Sequence, residues 1–329
     1  MKFTFWGVRG SIPSPSTNRF STLKYGGNTT CVSVEFPNHF AIVDAGTGIR
    51  ELGMRANKFP SYLLFFSHFH HDHVQGFPFF YPVYNPKIIV FYFTPRIMRK
   101  RVDKVLEEQF NPPLFPYRFE YTFSAKKFFV ISPMDSVRLL NVKSDSDYVE
   151  SLMGGRKDSR QLERLKRKFP DGFNAHVLVP AYEPKLNNEV GRIDFIEILS
   201  HPNHGSFTYG FIYNDKKIVF ATDLEQRAEG IAKLVKYAQN ADVLIHDTQY
   251  LPEDYYEKYQ DFGHSTYEMA GDVAKKAGVK KLILTHHDPA FDDDKIDKIT
   301  VLARNYMSKI NAANIEIESA YEGMVIDFS

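Results

Sequence analysis

Four histidines and one aspartate fall within six residues, His68-Phe-His70-His71-Asp72-His73. Neutral imidazole and carboxylate are the usual ligands of catalytic zinc and related divalent ions. The cluster follows the apolar run Tyr62 to Phe66, whose composition predicts a buried strand. A strand that stops at such residues delivers them to the rim of a sheet, where open sites form. On extended backbone His68 and His70 point to the same side. A turn after His70 would bring Asp72 and His73 in from a second direction, enough for half of each site of a two-metal centre. A histidine-rich surface loop is the competing explanation. It leaves the aspartate and the preceding apolar strand unaccounted for.

His68-x-His70-x-Asp72-His73 resembles the His-x-His-x-Asp-His signature of the metallo-β-lactamase fold superfamily. Three further stretches narrow the resemblance: Gly7-Val-Arg-Gly-Ser-Ile-Pro13, Tyr25-Gly-Gly-Asn-Thr29 and Asp44-Ala-Gly-Thr-Gly-Ile-Arg-Glu-Leu-Gly53. They are similar to bacterial members close to cyclic-nucleotide and other phosphodiesterases. Those in turn are similar to the tRNA 3′-processing endonuclease ribonuclease Z. The resemblance covers residues 2–131 and 191–328 and fades between them.

The resemblance implies an α/β fold, a four-layer αββα sandwich. His68, His70 and His201 would then bind one divalent ion, and Asp72, His73 and His286 the second. Asp223, in Phe220-Ala-Thr-Asp223, would bridge the two. Zn²⁺ and Mn²⁺ are the expected ions, and Fe²⁺ is also compatible with such ligands. Two ions of this kind lower the pKa of a shared water towards neutrality, making it a nucleophile. His204 rivals His201, but the family's His-Pro pattern favours His201-Pro202, with one extra residue before Gly205. His286 directly follows its strand and is expected to be a ligand, with His287 and His71 behind it or at the surface. Gly263-His264-Ser265-Thr266 resembles a stretch that places a histidine over the phosphate in ribonuclease Z and its relatives. His264 would protonate a leaving alkoxide or hold a non-bridging oxygen; its alternative is helix capping. Asp72 and His264 are therefore the candidate catalytic residues. Asp247 either orients a ligand histidine or stabilises a turn.

The remaining elements must bring these side chains together. Five apolar strands each end at a histidine or aspartate: His68, His201, Asp223, His246 and His286. A site along one edge of a sheet requires this. A hairpin is expected through Asn214-Asp215, and a final strand over Glu322 to Phe328. Helices are expected at Ile49 to Ala56, Arg96 to Phe110, Glu229 to Gln239, Tyr267 to Ala277 and Asp294 to Ile310. The glycine-rich turn Asp44 to Gly48 could cradle an anion; a tight turn with Asp44 as acceptor is the better reading. Residues 1–329 read as a single domain, and 132–190 as an insertion within it, a lid, arm or oligomer contact. Its segment Gly154 to Lys168 carries seven Lys or Arg against two acidic residues. Such a run can bind phosphates, although a solvated helix face explains it more simply.

A chain of 329 residues suits one large domain with an insertion. A net charge of +1 points to no particular partner. The 29 phenylalanines and 19 tyrosines predict aromatic core and pocket walls. Cys31 is the one cysteine, so no intrachain disulfide forms, which fits a reducing, cytoplasmic setting. No signal-like h-region and no long apolar run occur, so no membrane partner is expected. The ligand set and the resemblance imply a metal-dependent hydrolase, with a cyclic nucleotide or similar small phosphodiester as the expected substrate. The second reading is a ribonuclease Z-like nuclease with a nucleic-acid partner. A metal-binding switch without turnover is a third class. Asp223 and the Gly263-His264 stretch argue against a true β-lactamase. Since relatives are often dimers, a homodimer is also expected from the resemblance.

Overall fold

Two sheets lie face to face in the computed structural model, which describes residues 1–55, 59–141, 176–180, 185–186, 188–202, 205–225 and 227–329. The first sheet contains β1 (Lys2–Gly7), β2 (Cys31–Phe36), β3 (His39–Val43), β4 (Ser61–Phe65), β5 (Ile89–Pro95) and β6 (Ala125–Ile131). The second contains β7 (Asp135–Leu140), β8 (His176–Pro180), β9 (Glu189–Ile198), β10 (Ser206–Tyr213), β11 (Lys216–Ala221), β12 (Val243–Asp247), β13 (Lys281–Thr285) and β14 (Glu316–Ser319). β15 (Val325–Asp327) returns to pair antiparallel with β1. The strand orders are β15-β1-β2-β3-β4-β5-β6 and β14-β13-β12-β11-β10-β9-β7-β8. Helices α1 (Ile49–Arg55) and α2 (Val102–Gln109) lie on the first sheet, and α3 (Ala228–Tyr237), α4 (Tyr267–Ala277) and α5 (Asp293–Lys309) on the second. This is the expected αββα sandwich.

Strand alternation builds the layers. In β12, Val243 and Ile245 face the inter-sheet core while Leu244 packs under the helices. In β4, Leu63 and Phe65 face inward and Tyr62 and Leu64 outward. Strands buried on both faces read as unbroken apolar runs, which is why they stand out in the sequence. Phe65 stacks on Phe93 of the neighbouring strand at 4.3 Å, on the face of the first sheet that meets the second, and burying each such ring stabilises the fold by about 1.5–3 kcal/mol.

The strands β3 to β6 run parallel, as do β11 to β14. Their carboxyl ends therefore share an edge in each sheet, where ligands bind in open α/β folds. Two hydrogen bonds tie the sheets together at that edge. The Phe207 amide donates to the Ser67 carbonyl at 2.9 Å, and the Tyr209 hydroxyl to the Phe66 carbonyl at 2.6 Å.

Several element boundaries differ from expectation. The helix expected over Arg96 to Phe110 splits into a 3₁₀ turn, Arg96–Met98, and α2, because Arg99 turns left-handed at φ 51°. The expected last strand shrinks to β15, since Gly323, at φ 85°, lies in a turn closed by the Met324 amide on the Tyr321 carbonyl. β14 has only two buried positions, Ile317 and Ser319, too few for a recognisable pattern. The stretch 132–190 contributes β7 and β8 to the second sheet. The basic segment Gly154 to Lys168 and the rival ligand His204 lie outside the described residues. Among the described residues, no helix is long and apolar enough to cross a membrane.

Arg9, fully buried, holds the connection between β13 and α5. Its guanidinium donates to the carbonyls of Gly26 (2.8 Å), Asp288 (3.1 Å) and Phe291 (2.5 Å). Arg9→Leu leaves the Gly26 and Phe291 carbonyls without donors, while the Asp288 carbonyl keeps the Phe291 amide at 3.0 Å; at about 1–3 kcal/mol for each such group the variant should lose at least about 2 kcal/mol of stability in urea unfolding.

Candidate metal centre

β4 ends at the shared edge, and the chain leaves it through His68 and His70. At His70 the backbone is still extended (φ −63°, ψ 156°), and the 3₁₀ turn His71–His73 follows at once. The turn is closed by the His73 amide on the His70 carbonyl at 3.0 Å. It reverses the direction of approach, so Asp72 and His73 come in from the opposite side to His68 and His70. His71 is left on the exposed outer side. The glycine turn after β3 holds this motif from behind. The Ala45 amide donates to the His73 carbonyl (2.7 Å) and the Gly76 amide to the Ala45 carbonyl (2.9 Å). A Cβ on Gly46 would lie 2.4 Å from the Asp72 carbonyl oxygen. The turn therefore cradles the histidine motif, and Asp44 is its acceptor. The Asp44 carboxylate takes the Ser67 amide, the Ser67 hydroxyl (both 2.7 Å) and His73 Nδ1 (2.9 Å).

The other donors arrive from the second sheet. His201 follows β9, Asp223 follows β11 and His286 follows β13. Asp223 and His286 both adopt left-handed backbone, at φ 54° and 62°, which turns their side chains back over the sheet edge. The buried Asp223 carboxylate lies between two groups of donors. Oδ2 is 3.1 Å from His73 Nε2, and Oδ1 is 3.2 Å from His286 Nε2, 3.7 Å from His68 Nε2 and 3.9 Å from His201 Nε2. Three sets each have ligand atoms within 4.8 Å of one another: His68, His70 and His201; Asp72, His73, Asp223 and His286; and Asp223, Asp247, His264 and His286. All seven expected ligands therefore converge.

The far nitrogen of each ring fixes which nitrogen faces the centre. His73 Nδ1 donates to Asp44, and His201 Nδ1 donates to the Gly263 carbonyl at 2.9 Å. In the neutral form of both rings Nε2 is thus left as a lone pair directed inward. His201 Nε2 and His70 Nδ1 lie 2.9 Å apart. His68, His73 and His286 each bury an Nε2 that has no hydrogen-bond partner. A buried orphan of this kind costs about 1–3 kcal/mol. Orphans facing carboxylates fit divalent cations, one held by the group of His68 and one by the group of His73 and His286.

The charge distribution divides the centre. Burial pushes His68 well below the ordinary histidine value and His201 down to about 4, so these rings are neutral lone-pair donors. Burial works against ionisation of Asp72 and Asp223, but the neighbouring imidazoles hold both well below the usual carboxylate range. Burial likewise opposes a charge on His286, yet Asp223 and Asp72 raise it to about 9. This half of the site is an anionic pocket that demands positive charge. Imidazole with carboxylate suits zinc, manganese or ferrous iron.

Asp247 completes the rim. One oxygen accepts His264 Nδ1 at 2.8 Å and the Asp223 amide at 3.1 Å. The other accepts the amides of Ser265 and Gln249 at 3.0 and 3.2 Å. His264 stacks on His286 at 4.9 Å. Asp247, not His246, is the β12 residue that reaches the centre. His246 lies on the helix-facing side with Leu244, its Nδ1 2.7 Å from the Asp247 carbonyl. Strand alternation explains the substitution, since adjacent residues face opposite ways. Thr266, not His264, caps α4, accepting from the Met269 amide. His287 is buried against the Ala320 carbonyl, away from the donors.

No protein-family model matches the chain. It is 26% identical over 318 residues to a ribonuclease Z of Picrophilus torridus, covering 89% of this chain and 87% of that one. A Listeria welshimeri ribonuclease Z is 24% identical over 336 residues, covering 95% and 97%. In fold the chain matches the metallo-β-lactamase fold protein YhfI from Bacillus subtilis, with TM-score 0.60, 16% identity and coverage of 99% and 98%. It also matches the short form of human tRNase Z, with TM-score 0.59, 20% identity and full coverage of both chains.

Asp44→Asn keeps the volume of the side chain but can offer His73 Nδ1 an N–H in place of an acceptor. Losing such an outer partner typically weakens metal affinity by about 10–100-fold. Equilibrium dialysis of Zn²⁺ against the variant and the parent should show a loss of that size.

Proposed function

We propose that this chain, a metal-dependent hydrolase of the metallo-β-lactamase superfamily related to ribonuclease Z, is a phosphodiesterase with a two-ion centre. His68, His70 and His201 hold one ion, Asp72, His73 and His286 the other, and Asp223 is shared. The observation that carries this reading is the place of Asp223, one carboxylate lying between two sets of inward imidazole nitrogens. Two divalent ions bound there would supply Lewis acidity towards a phosphoryl group and lower the pKa of a nucleophilic water. The protein's own part is to fix the ligands and to manage one proton. Asp44 and the Gly263 carbonyl lock the rings of His73 and His201, and the Ser11 amide holds Asp72 Oδ2 at 2.8 Å. Asp247 accepts from His264 Nδ1 and would stabilise the doubly protonated ring, whose Nε2–H would go to the departing alkoxide, leaving the neutral imidazole.

A cyclic nucleotide or similar small diester is the first substrate class. RNA cleavage of the ribonuclease Z kind is the second, favoured by the similarity to ribonucleases Z along nearly the whole chain. The seven basic residues of Gly154 to Lys168 would then attract the RNA backbone.

Proton donation by His264 matters only when the leaving group needs a proton. His264→Ala should therefore lower kcat on a cyclic nucleotide by about 10²-fold or more. The loss on bis-p-nitrophenyl phosphate, whose leaving group departs as an anion, should stay below about tenfold. Chelation should abolish both activities. Equal losses on the two substrates would remove His264 from the proton-donor role. Side-by-side assays with a precursor tRNA rank the two substrate classes.

A further inference from the structure

We infer that Phe262 and Tyr259 form a stacking shelf for the planar base of the substrate, so that the preferred diester is one of a nucleoside. This rests on the phosphodiesterase reading and names the substrate class for that site. The shelf is the outer end of a chain of rings that starts inside the centre. His286 stacks on His264 at 4.9 Å, and His264 meets Tyr250 edge-on at 5.6 Å. Tyr250 stacks on Tyr259 at 4.5 Å with ring planes 16° apart. Tyr259 meets Phe262 edge-on at 5.8 Å. The rings grow more exposed outward: Tyr250 is buried, Tyr259 is half-buried, and Phe262 exposes 58% of its surface.

The backbone is built to present Phe262. Asp261 and Gly263, on either side of it, both adopt left-handed conformations at φ 69° and 91°. Left-handed non-glycine backbone is strained and persists only where its surroundings enforce it. Here the buried Glu225 carboxylate does so, accepting the Asp261 amide and the Tyr255 hydroxyl, both at 2.6 Å. Arg227 holds the Asp261 side chain at 2.8 Å. On the other side the Gly263 carbonyl is bound to His201, and a Cβ on Gly263 would lie 2.4 Å from His201 Nδ1. Tyr255–Tyr259 forms a π-helical turn, a device concentrated at functional sites. The fold thus accepts strain at Asp261, sets a glycine on the other side of an exposed phenylalanine, and anchors it to the loop of a candidate ligand. A base has a π-face whatever its sequence identity, and rings of this kind are what single bases stack on.

The test uses two esters with the same leaving group, thymidine 5′-p-nitrophenyl phosphate and methyl p-nitrophenyl phosphate, on Mn²⁺-loaded protein. Base–aromatic stacking of ordinary strength predicts a kcat/KM ratio of about tenfold or more in favour of the nucleoside ester. Phe262→Ala should collapse that ratio, Phe262→Leu should not restore it, and Phe262→Trp should. A ratio in Phe262→Ala within twofold of the parent's would overturn the shelf. If neither ester is hydrolysed, the phosphodiesterase reading fails, and calorimetric binding decides the shelf separately. AMP should bind the parent at least tenfold more tightly than ribose 5-phosphate, and Phe262→Ala should erase the difference. Equal binding of the two by the parent would reject the shelf.

Discussion

A carboxylate buried among imidazoles is the constraint around which this protein is arranged. Asp223 is only 1% exposed, and the Nε2 atoms of four histidines lie within 4 Å of its oxygens. A buried charge is tolerated only when paired and hydrogen-bonded. The Thr222 hydroxyl supplies one such bond, at 2.6 Å to Oδ2. The remaining compensation must come from positive charge in the centre. Two sheets have to meet in register for that compensation to be possible, because His68, His70 and His73 stand at the edge of one and His201 and His286 at the edge of the other.

The inward nitrogens are set from outside. Asp44, the Gly263 carbonyl and Asp247 each bind the far nitrogen of a ring, so the tautomers follow from backbone and carboxylate acceptors behind the site. Unusual backbone occurs here too: of eleven non-glycine residues at positive φ among the described residues, Ser11, Asp44, Asp223, Asp261 and His286 stand at or beside the centre. Such strain survives only where packing over-determines it. Here the inter-sheet hydrogen bonds of Phe207 and Tyr209 and the buried Arg9 supply that rigidity.

The ring chain from His286 to Phe262 connects the anionic half of the centre to solvent. It also shares its anchors with the ligands: Gly263 touches both Phe262 and His201, and Glu225 touches both the Asp261 turn and, through its amide, Ser200 at 3.2 Å. The candidate ligands and the proposed shelf are thus held by the same few loops, as expected where binding residues stand on loops carried by a rigid scaffold.

The ligand types and their positions at strand ends were legible in the chain itself. Buried parallel strands leave continuous apolar runs, and a histidine or aspartate at the end of one is local information. The fold class followed from the resemblance carried by the histidine motif, with which the apolar strand ends agree, and α4 was legible to the residue because Thr266 and Gly278 bracket it with a cap at each end. Partnership was not legible. That Asp247 rather than His246 reaches the centre depends on which face of β12 meets the first sheet. That Asp44 orients His73 depends on β3 pairing with β4, and that Gly263 orients His201 depends on contact between loops 62 residues apart. Such contacts leave no trace in local periodicity, because they are set by how the sheets pack. The sequence by itself decided which groups could bind a cation, and the tertiary structure decided which of them share a carboxylate and which nitrogen each one turns inward.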